Sequence, residues 1–317
     1  MSGMKILVLL GGSSSEREVS LASGARVADA LRSRGHEVTT TDPGADPLAI
    51  LNEARAAEVV WMALHGGAGE DGTIQALFDL AGVCYSGSGH LASALAMDKD
   101  LSKRIFRSAG VPTAEWRMLR RGDGIDFVTT AYAEATVAAL GLPVVVKPSK
   151  QGSTVGLTVV KVAAHLPAAI RLAFEHDDEV MLETFISGRE LTVGILGEVV
   201  MPVGEIIPKH ELYDYECKYT PGMAEELFPA PIPDAIRDEV QHHTRRAYEA
   251  LKLTGCARID FRWHPTDGLF CLEANTLPGM TGTSLVPQAA QAMGIGFPEL
   301  CERIALDAVA RRAGRTS

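Results

Sequence analysis

The chain has 317 residues, too many for one compact core and enough for two or three domains. Hydrophobic residues make up 46% and charged residues 22%, a balance that excludes a disordered chain. Lys and Arg total 30 against 40 Asp and Glu, and the net charge of −10 excludes nucleic acid as the main partner, because counterion release needs clustered cations.

The first 95 or so residues alternate strand and helix. Lys5–Leu10 is a short buried run that reads as a parallel strand, and it is too short for a signal-peptide core. After the loop Gly11–Arg17, the residues Val19, Ala22, Ala25, Val27, Ala30 and Leu31 form one apolar helical face that ends at Gly35. Glu37–Thr41 and Val59–Leu64 are the next strands, and a helix starts at Thr73. Val59–Leu64 is typical of the longest apolar runs, so no segment approaches a membrane span. This alternation predicts an α/β chain that opens with a doubly wound parallel sheet, with ligands at the carboxyl ends of the strands. A second unit holds the helix Lys99–Ser108 and the stop Gly110–Pro112, then the strand Pro143–Lys147, a glycine-rich loop over Ser149–Gly156 and the strand Leu157–Val162. Another helix and the strand Glu179–Glu183 close it. The third unit runs through the β-rich stretch Glu190–Ile207, an irregular segment Pro208–Pro233 and a helix Asp234–Leu251. A hairpin and two final helices follow. The expected units are 1–96, 97–185 and 186–317. The five cysteines (Cys84, Cys217, Cys256, Cys271 and Cys301) are scattered without a CxxC pair, which predicts reduced thiols and a cytoplasmic location.

The hairpin carries the clearest chemistry. Its strands, Ala257–His264 and Leu269–Ala274, flank the turn Pro265-Thr-Asp-Gly268. If those four residues are the loop, His264 pairs with Leu269, Asp260 faces Glu273 and Arg258 faces Asn275, all four on one face. Ile259, Phe261, Leu272 and Ala274 take the other face. Two facing carboxylates repel each other unless a cation lies between them. Hard oxygen donors in small number suit Mg²⁺ bound together with substrate phosphates. The alternative is that Asp260 or Glu273 is solvated or pairs with Arg258.

Four loops join it. Lys147–Gly156 lies between two strands as a hairpin flap whose small residues and Lys147 suit phosphates, although a tight ligand-free hairpin explains it equally. Gly11–Ser20 follows the first strand. There Glu16 could receive an ammonium group, while local sequence alone favours a helix capped by Ser15. Leu64–Gly72 places His65, Glu70 and Asp71 among four glycines. Asn275–Leu285 leads into a helix whose start, with Ser284, suits a carboxylate or is simply capped. There is no Walker A loop, no dinucleotide fingerprint, no G-x-S-x-G, no H-E-x-x-H and no zinc spacing, which disfavours a dehydrogenase.

With these motifs in order, the whole chain resembles the D-alanine–D-alanine ligases of the ATP-grasp superfamily. The carriers are Leu9-Leu-Gly-Gly-Ser-Ser-Ser-Glu-Arg-Glu-Val-Ser20, Ala63-Leu-His-Gly-Gly67, Gly69-Glu-Asp-Gly72, Gly87-Ser-Gly89, Met97-Asp-Lys99, Val146-Lys-Pro-Ser149 and Gly152-Ser153. Further along come Tyr213-Asp-Tyr-Glu-Cys-Lys-Tyr219, Gly255-Cys-Ala-Arg-Ile-Asp260, Leu272-Glu-Ala-Asn-Thr276, Pro278-Gly-Met-Thr281 and Ser284-Leu-Val-Pro287.

The resemblance implies a three-domain ATP-grasp fold with ATP gripped between the second and third domains. It implies that Lys99, Lys147 and Lys218 hold phosphates and that Glu183 and Glu190 hold adenine and ribose. Asp260, Glu273 and Asn275 would bind two Mg²⁺, with Mn²⁺ as a substitute and room for a monovalent cation such as K⁺. Glu16 would meet the ammonium of the first of two D-alanines, with His65 near the second and Ser284 and Leu285 at its carboxylate. Glu16, Ser153 and Tyr219 would form a hydrogen-bonded set, and Arg258 with the N–H of Gly279 would stabilise the oxyanion. A homodimer making D-alanyl-D-alanine through an acyl phosphate, for peptidoglycan precursors, is the implied whole. Gln151, Thr154 and Thr283 depart from residues common in the family, all near the substrate end. The alternatives are a ligase using D-lactate or D-serine as acceptor, or a non-catalytic ATP-binding regulator.

Overall fold

The structure is a computed structural model that describes residues 3–44, 46, 48–123, 129–152, 154–210, 213, 217, 220 and 222–315. Three sheets organise it. In the first, β1 (Lys5–Leu9), β2 (Glu37–Thr41) and β3 (Val59–Met62) run parallel in the order β2-β1-β3. The helices up to residue 108 are α1 (Arg17–Ser33), α2 (Leu51–Ala56), α3 (Thr73–Ala81), α4 (His90–Met97) and α5 (Lys99–Ser108). Gly35, at φ +88°, takes the left-handed turn that ends α1, a conformation that other residues adopt only with strain.

The second sheet is antiparallel, in the order β4-β7-β5-β6, from β4 (Trp116–Arg120), β5 (Val144–Pro148), β6 (Thr158–Val160) and β7 (Glu179–Thr184), with α6 (Thr130–Leu140) and α7 (Leu166–Phe174). The third runs β11-β10-β8-β12-β13, built from β8 (Arg189–Leu196), β10 (Gly204–Pro208), β11 (Ala224–Leu227), β12 (Cys256–His264) and β13 (Gly268–Asn275), and the short β9 (Val199–Val200) pairs with β8. Three helices complete it: α8 (Asp234–Ala250), α9 (Leu285–Ala292) and α10 (Phe297–Arg315). Among the described residues, no helix is long and apolar enough to cross a membrane.

The alternating residues of β1 show why the centre of the first sheet is buried on both faces. Ile6 and Val8 pack with Leu300, Ile304 and Ala308 of α10, while Leu7 and Leu9 pack with Ile74 and Phe78 of α3. The last helix of the chain therefore closes the first sheet, and the Trp61 indole N–H donates to the Cys301 carbonyl at 3.2 Å. Phe106 of α5 packs with Val193, Val240 and Phe261, in the core of the third sheet. The second sheet keeps its own core, with Val144, Val146, Ile170 and Leu182. Packing thus crosses the expected segment boundaries at several helices, α4, α5, α9 and α10 among them, and α5 lies where the second and third sheets meet. All five cysteines are buried, and none is in a disulfide.

Four elements had no counterpart in the sequence reading: α2, α4, β4 and α6. A fifth, β11, falls inside the stretch expected to be irregular. Both strands lie at sheet edges and carry charge, Arg117 and Arg120 in β4 and Glu225 and Glu226 in β11. Charged edges suppress the apolar alternation by which strands are recognised.

Candidate active site

The hairpin β12–β13 pairs Asp260 with Glu273 and Arg258 with Asn275, as counted. The count reaches that register by two compensating departures. His264 pairs with Gly268 rather than Leu269, so the loop is one residue shorter. A bulge between Cys271 and Glu273 then adds the residue back. The extra residue is Leu272, expected on the core face. Instead Cys271 takes the core position with no exposure, and Leu272 lines the cleft beside Glu273.

Asp260 is almost fully buried and accepts hydrogen bonds from three side chains. Arg258 reaches it through Nε and Nη2 at 2.9 and 2.8 Å, Thr192 Oγ1 donates at 2.7 Å, and Asn275 Nδ2 donates at 2.9 Å. Burial works against the charge on Arg258, but Asp260 outweighs it and raises the guanidinium pKa. Glu273 lies 3.6 Å from the Lys99 ammonium.

This hairpin forms one wall of a cleft of about 970 Å³ between the second and third sheets. Lys99, Lys147, Glu183, Glu190, Arg258, Asp260 and Glu273 all line it, with Val145, Leu157, Phe185 and Ile186 as apolar surface. Lys99 stands in the first turn of α5, which is capped by the Asp98 carboxylate accepting from the Leu101 N–H at 3.0 Å. Its ammonium donates to the Gln151 carbonyl of the flap at 2.7 Å. Lys147 donates to Glu183 Oε2 at 2.6 Å, and Lys103 donates to Glu183 Oε1. Burial pushes Glu183 up, yet the two lysines outweigh it and hold the carboxyl at about 2. Glu190 pairs with Arg262 at 3.0 Å across the β8–β12 ladder.

A second cavity of about 620 Å³ opens beside the first and shares Gly152, Tyr213, Arg258 and Leu285 with it. Glu16, His65, Asn275, Gly279 and Ser284 line it. Glu16 itself occupies the position before α1 and makes no side-chain cap, so the Ser15 cap favoured by local sequence is not formed. The loop before Glu16 is fixed by Asp42, which accepts from the N–H groups of Gly12 and Gly44 at 2.9 and 2.8 Å and pairs with Arg17 at 2.6 Å. The Arg17 bond lowers the Asp42 pKa to about 2. His65 Nε2 lies 3.2 Å from Ser23 Oγ, and its Nδ1 lies 3.8 Å from Glu70. Ser284 Oγ accepts from the Thr281 N–H at 2.9 Å at the start of α9. A Cβ on Gly279 would lie 2.8 Å from that oxygen, so any other residue there must displace the Ser284 hydroxyl.

Of the residues singled out in the sequence, Ser153, Lys218 and Tyr219 lie outside the described residues. The others gather in the two cavities. Gly87-Ser-Gly89 does not: Ser88 and Gly87 bond Thr254 and Arg311 away from the cleft. Sequence reading missed Lys103, Arg262 and Tyr213 as members of the site. Tyr213 donates to Glu226 at 3.2 Å. Arg262 was legible two residues after Asp260 on the same strand face. Lys103 had no comparable signal.

Residues 41–88 match the D-ala D-ala ligase N-terminus family, and residues 105–305 match the D-ala D-ala ligase C-terminus family. The chain belongs to the D-alanine–D-alanine ligase family. The D-alanine–D-alanine ligase of Syntrophotalea carbinolica is 46% identical over 97% of each chain. That of Gloeobacter violaceus is 47% identical over 95% of this chain and 98% of its own. Among solved structures, the Bacillus anthracis D-alanine–D-alanine ligase complexed with ATP has a TM-score of 0.85 at 30% identity, covering 99% of this chain and all of its own. The D-Ala:D-Ser ligase VanG of Enterococcus faecalis has a TM-score of 0.82 at 29% identity, covering 97% and 100%. The ATP-grasp fold is therefore shared by relatives named for different second substrates.

Proposed function

We propose that this chain joins two D-alanines at the expense of ATP, releasing ADP and phosphate and making D-alanyl-D-alanine for peptidoglycan precursors. The observation that carries this reading is the meeting of the two cavities at Arg258 and Gly152. One side offers cations to a polyphosphate. The other offers a carboxylate, Glu16, and a helix start at Ser284, which suit the two charged ends of an amino acid.

A carboxylate is a poor electrophile, so an oxygen of the first D-alanine attacks the γ-phosphorus and ADP leaves. The second D-alanine then attacks the carbonyl carbon of the acyl phosphate as a neutral amine. Phosphate departs with the carbon–oxygen electron pair, and the amine proton passes to a base or to phosphate. Positioning and positive charge dominate phosphoryl transfer, and Lys99, Lys147 and Lys218 provide both. Glu190, held by Arg262, binds the ribose, and Glu183 binds the adenine end. Arg258 and the Gly279 N–H stabilise the oxyanion. The flap, tied through Gln151 to Lys99, excludes water from the acyl phosphate. Glu16 directs the first ammonium and, with Ser153 and Tyr219, closes over the second substrate beside His65 and Leu285.

The donor set of Asp260, Glu273 and Asn275 fits a hard divalent cation. Arg258 and Lys99 already balance the two carboxylates, so a triphosphate needs positive charge from elsewhere. Among the described residues, no group of three or more His, Cys, Asp or Glu could hold a metal ion by itself. Mg²⁺, or Mn²⁺ in its place, would screen the charge that develops on the transferring phosphoryl group. Five buried cysteines, none in a disulfide, support a reducing, cytoplasmic setting.

The test is phosphate release from ATP and Mg²⁺ with D-alanine, with mass spectrometry of the product and L-alanine, D-lactate and D-serine as controls. Phosphate matched by D-alanyl-D-alanine supports the reading. A mixed depsipeptide or D-alanyl-D-serine as main product transfers it to another acceptor, and bound ATP without turnover makes the chain a regulator.

A further inference from the structure

Lys103 is fully buried, and the reading above gives it no task. It stands one helical turn after Lys99 on α5, but it faces the protein interior rather than the cleft. Its ammonium donates to Glu183 Oε1 and, at 2.5 Å, to Thr113 Oγ1. Thr113 in turn donates to the carbonyl of Cys271 at 2.8 Å, next to the bulge that carries Glu273. The other oxygen of Glu183 receives Lys147 at 2.6 Å. One carboxylate thus lies between two ammonium groups, and only Lys147 lines the cleft.

A buried carboxylate stripped of its only cation is strongly disfavoured. Lys147 can bond a phosphate oxygen only to the extent that Glu183 tolerates its departure. With Lys103 held in place by Thr113, Glu183 keeps a countercharge when Lys147 leaves. We propose that Lys103 is a positioning residue that balances Glu183 permanently and so allows Lys147 to move from Glu183 to a nucleotide phosphate. This deepens the function proposed above and rests on its assignment of Lys147 to phosphate.

The test compares the binding of ADP and of adenosine by calorimetry in wild type, K103M, E183Q and K103M/E183Q. Methionine replaces the lysine stem with little change of volume. In K103M, Lys147 is the sole cation left to Glu183, so ADP affinity falls by about tenfold or more while adenosine affinity holds. Neutralising the carboxylate as well, in K103M/E183Q, restores the ratio of ADP to adenosine affinity to about that of E183Q. If K103M does not fold, the double variant and E183Q still decide. Lys147 released from Glu183 predicts a ratio at or above wild type in both, and a ratio below wild type in both overturns the proposal. An unchanged ratio in K103M, or a double variant no better than K103M, also overturns it. Wild-type enzyme that binds ADP yet makes no dipeptide overturns the reaction assigned above and leaves this comparison intact.

Discussion

Arg258 borders both cavities, and Arg258→Lys separates its two tasks. The guanidinium holds Asp260 with two nitrogens at 2.9 and 2.8 Å. A lysine keeps the charge but replaces the fork with one point donor. Asp260 retains Thr192 and Asn275, so it is not left unpaired. One charge-assisted bond is lost, which lowers stability by about 2 kcal/mol. If Arg258 also donates to the oxyanion, kcat falls by roughly 10²–10³-fold, the loss seen when one such donor is removed. Initial rates of ADP release at saturating ATP and D-alanine, repeated across a Mg²⁺ titration, tell the two tasks apart. Loss of the oxyanion donor lowers kcat at every Mg²⁺ concentration. Loss of the Asp260 clamp alone shifts the Mg²⁺ midpoint and leaves the plateau in place. A folded Arg258→Lys enzyme whose plateau kcat stays within about threefold of wild type refutes the oxyanion assignment.

Asp260→Asn is expected to weaken turnover and Mg²⁺ dependence together, and unchanged turnover at limiting Mg²⁺ removes Asp260 from the metal site. Gly279→Ala places a methyl group 2.8 Å from Ser284 Oγ, so the KM for D-alanine rises with little change in ATP affinity, as steady-state kinetics in each substrate will show. Asp42 has a folded pKa of about 2, below its unfolded value of about 3.9. Its contribution is therefore fully present above about pH 4 and is lost as pH falls through about 2, and Asp42→Asn makes urea stability flatter across that window. Tyr219→Phe is expected to raise ester formation with D-lactate relative to dipeptide, and an unaltered product ratio removes Tyr219 from the selectivity argument.

What the sequence made legible follows from how local each signal is. Helix α5 and strand β2 came out at their observed bounds and α3 at its observed start, because caps, glycines and apolar periods are written within a few residues. The pairing of Asp260 with Glu273 was legible for a less secure reason. Pairing depends on the sum of the turn length and any bulge, and the shorter turn and the extra Leu272 cancel. Leu272 itself was misplaced for the same reason, since strict alternation has no way to register a bulge. The packing of α10 on the first sheet joins residues some 240 positions apart, as in the bond from Trp61 to Cys301, and no local pattern encodes it. Lys103 reads as an ordinary charged position four residues after another lysine. Only the fold shows that its side of α5 is the buried one.

Among the described residues, the charged side chains that line the larger cleft are paired with one another. Asp260 has Arg258, Glu273 has Lys99, Glu190 has Arg262, and Glu183 has two lysines. Pairing keeps a cleft with this many half-buried ions compatible with a stable fold, because an isolated buried charge is far more unfavourable than a matched one. The same pairing means that a polyphosphate bound there would compete with carboxylates for Lys99 and Lys147. Binding is then an exchange of partners, and its strength is the difference between two sets of ion pairs rather than the sum of one. If Asp260 and Glu273 hold a divalent cation, as proposed, they would no longer need Arg258 and Lys99 as partners. Those two side chains would then be available to the reacting groups. The proposed metal and Lys99 would thus be coupled, and omitting Mg²⁺ is expected to weaken Lys99 as a phosphate donor as well as to remove the metal's own charge.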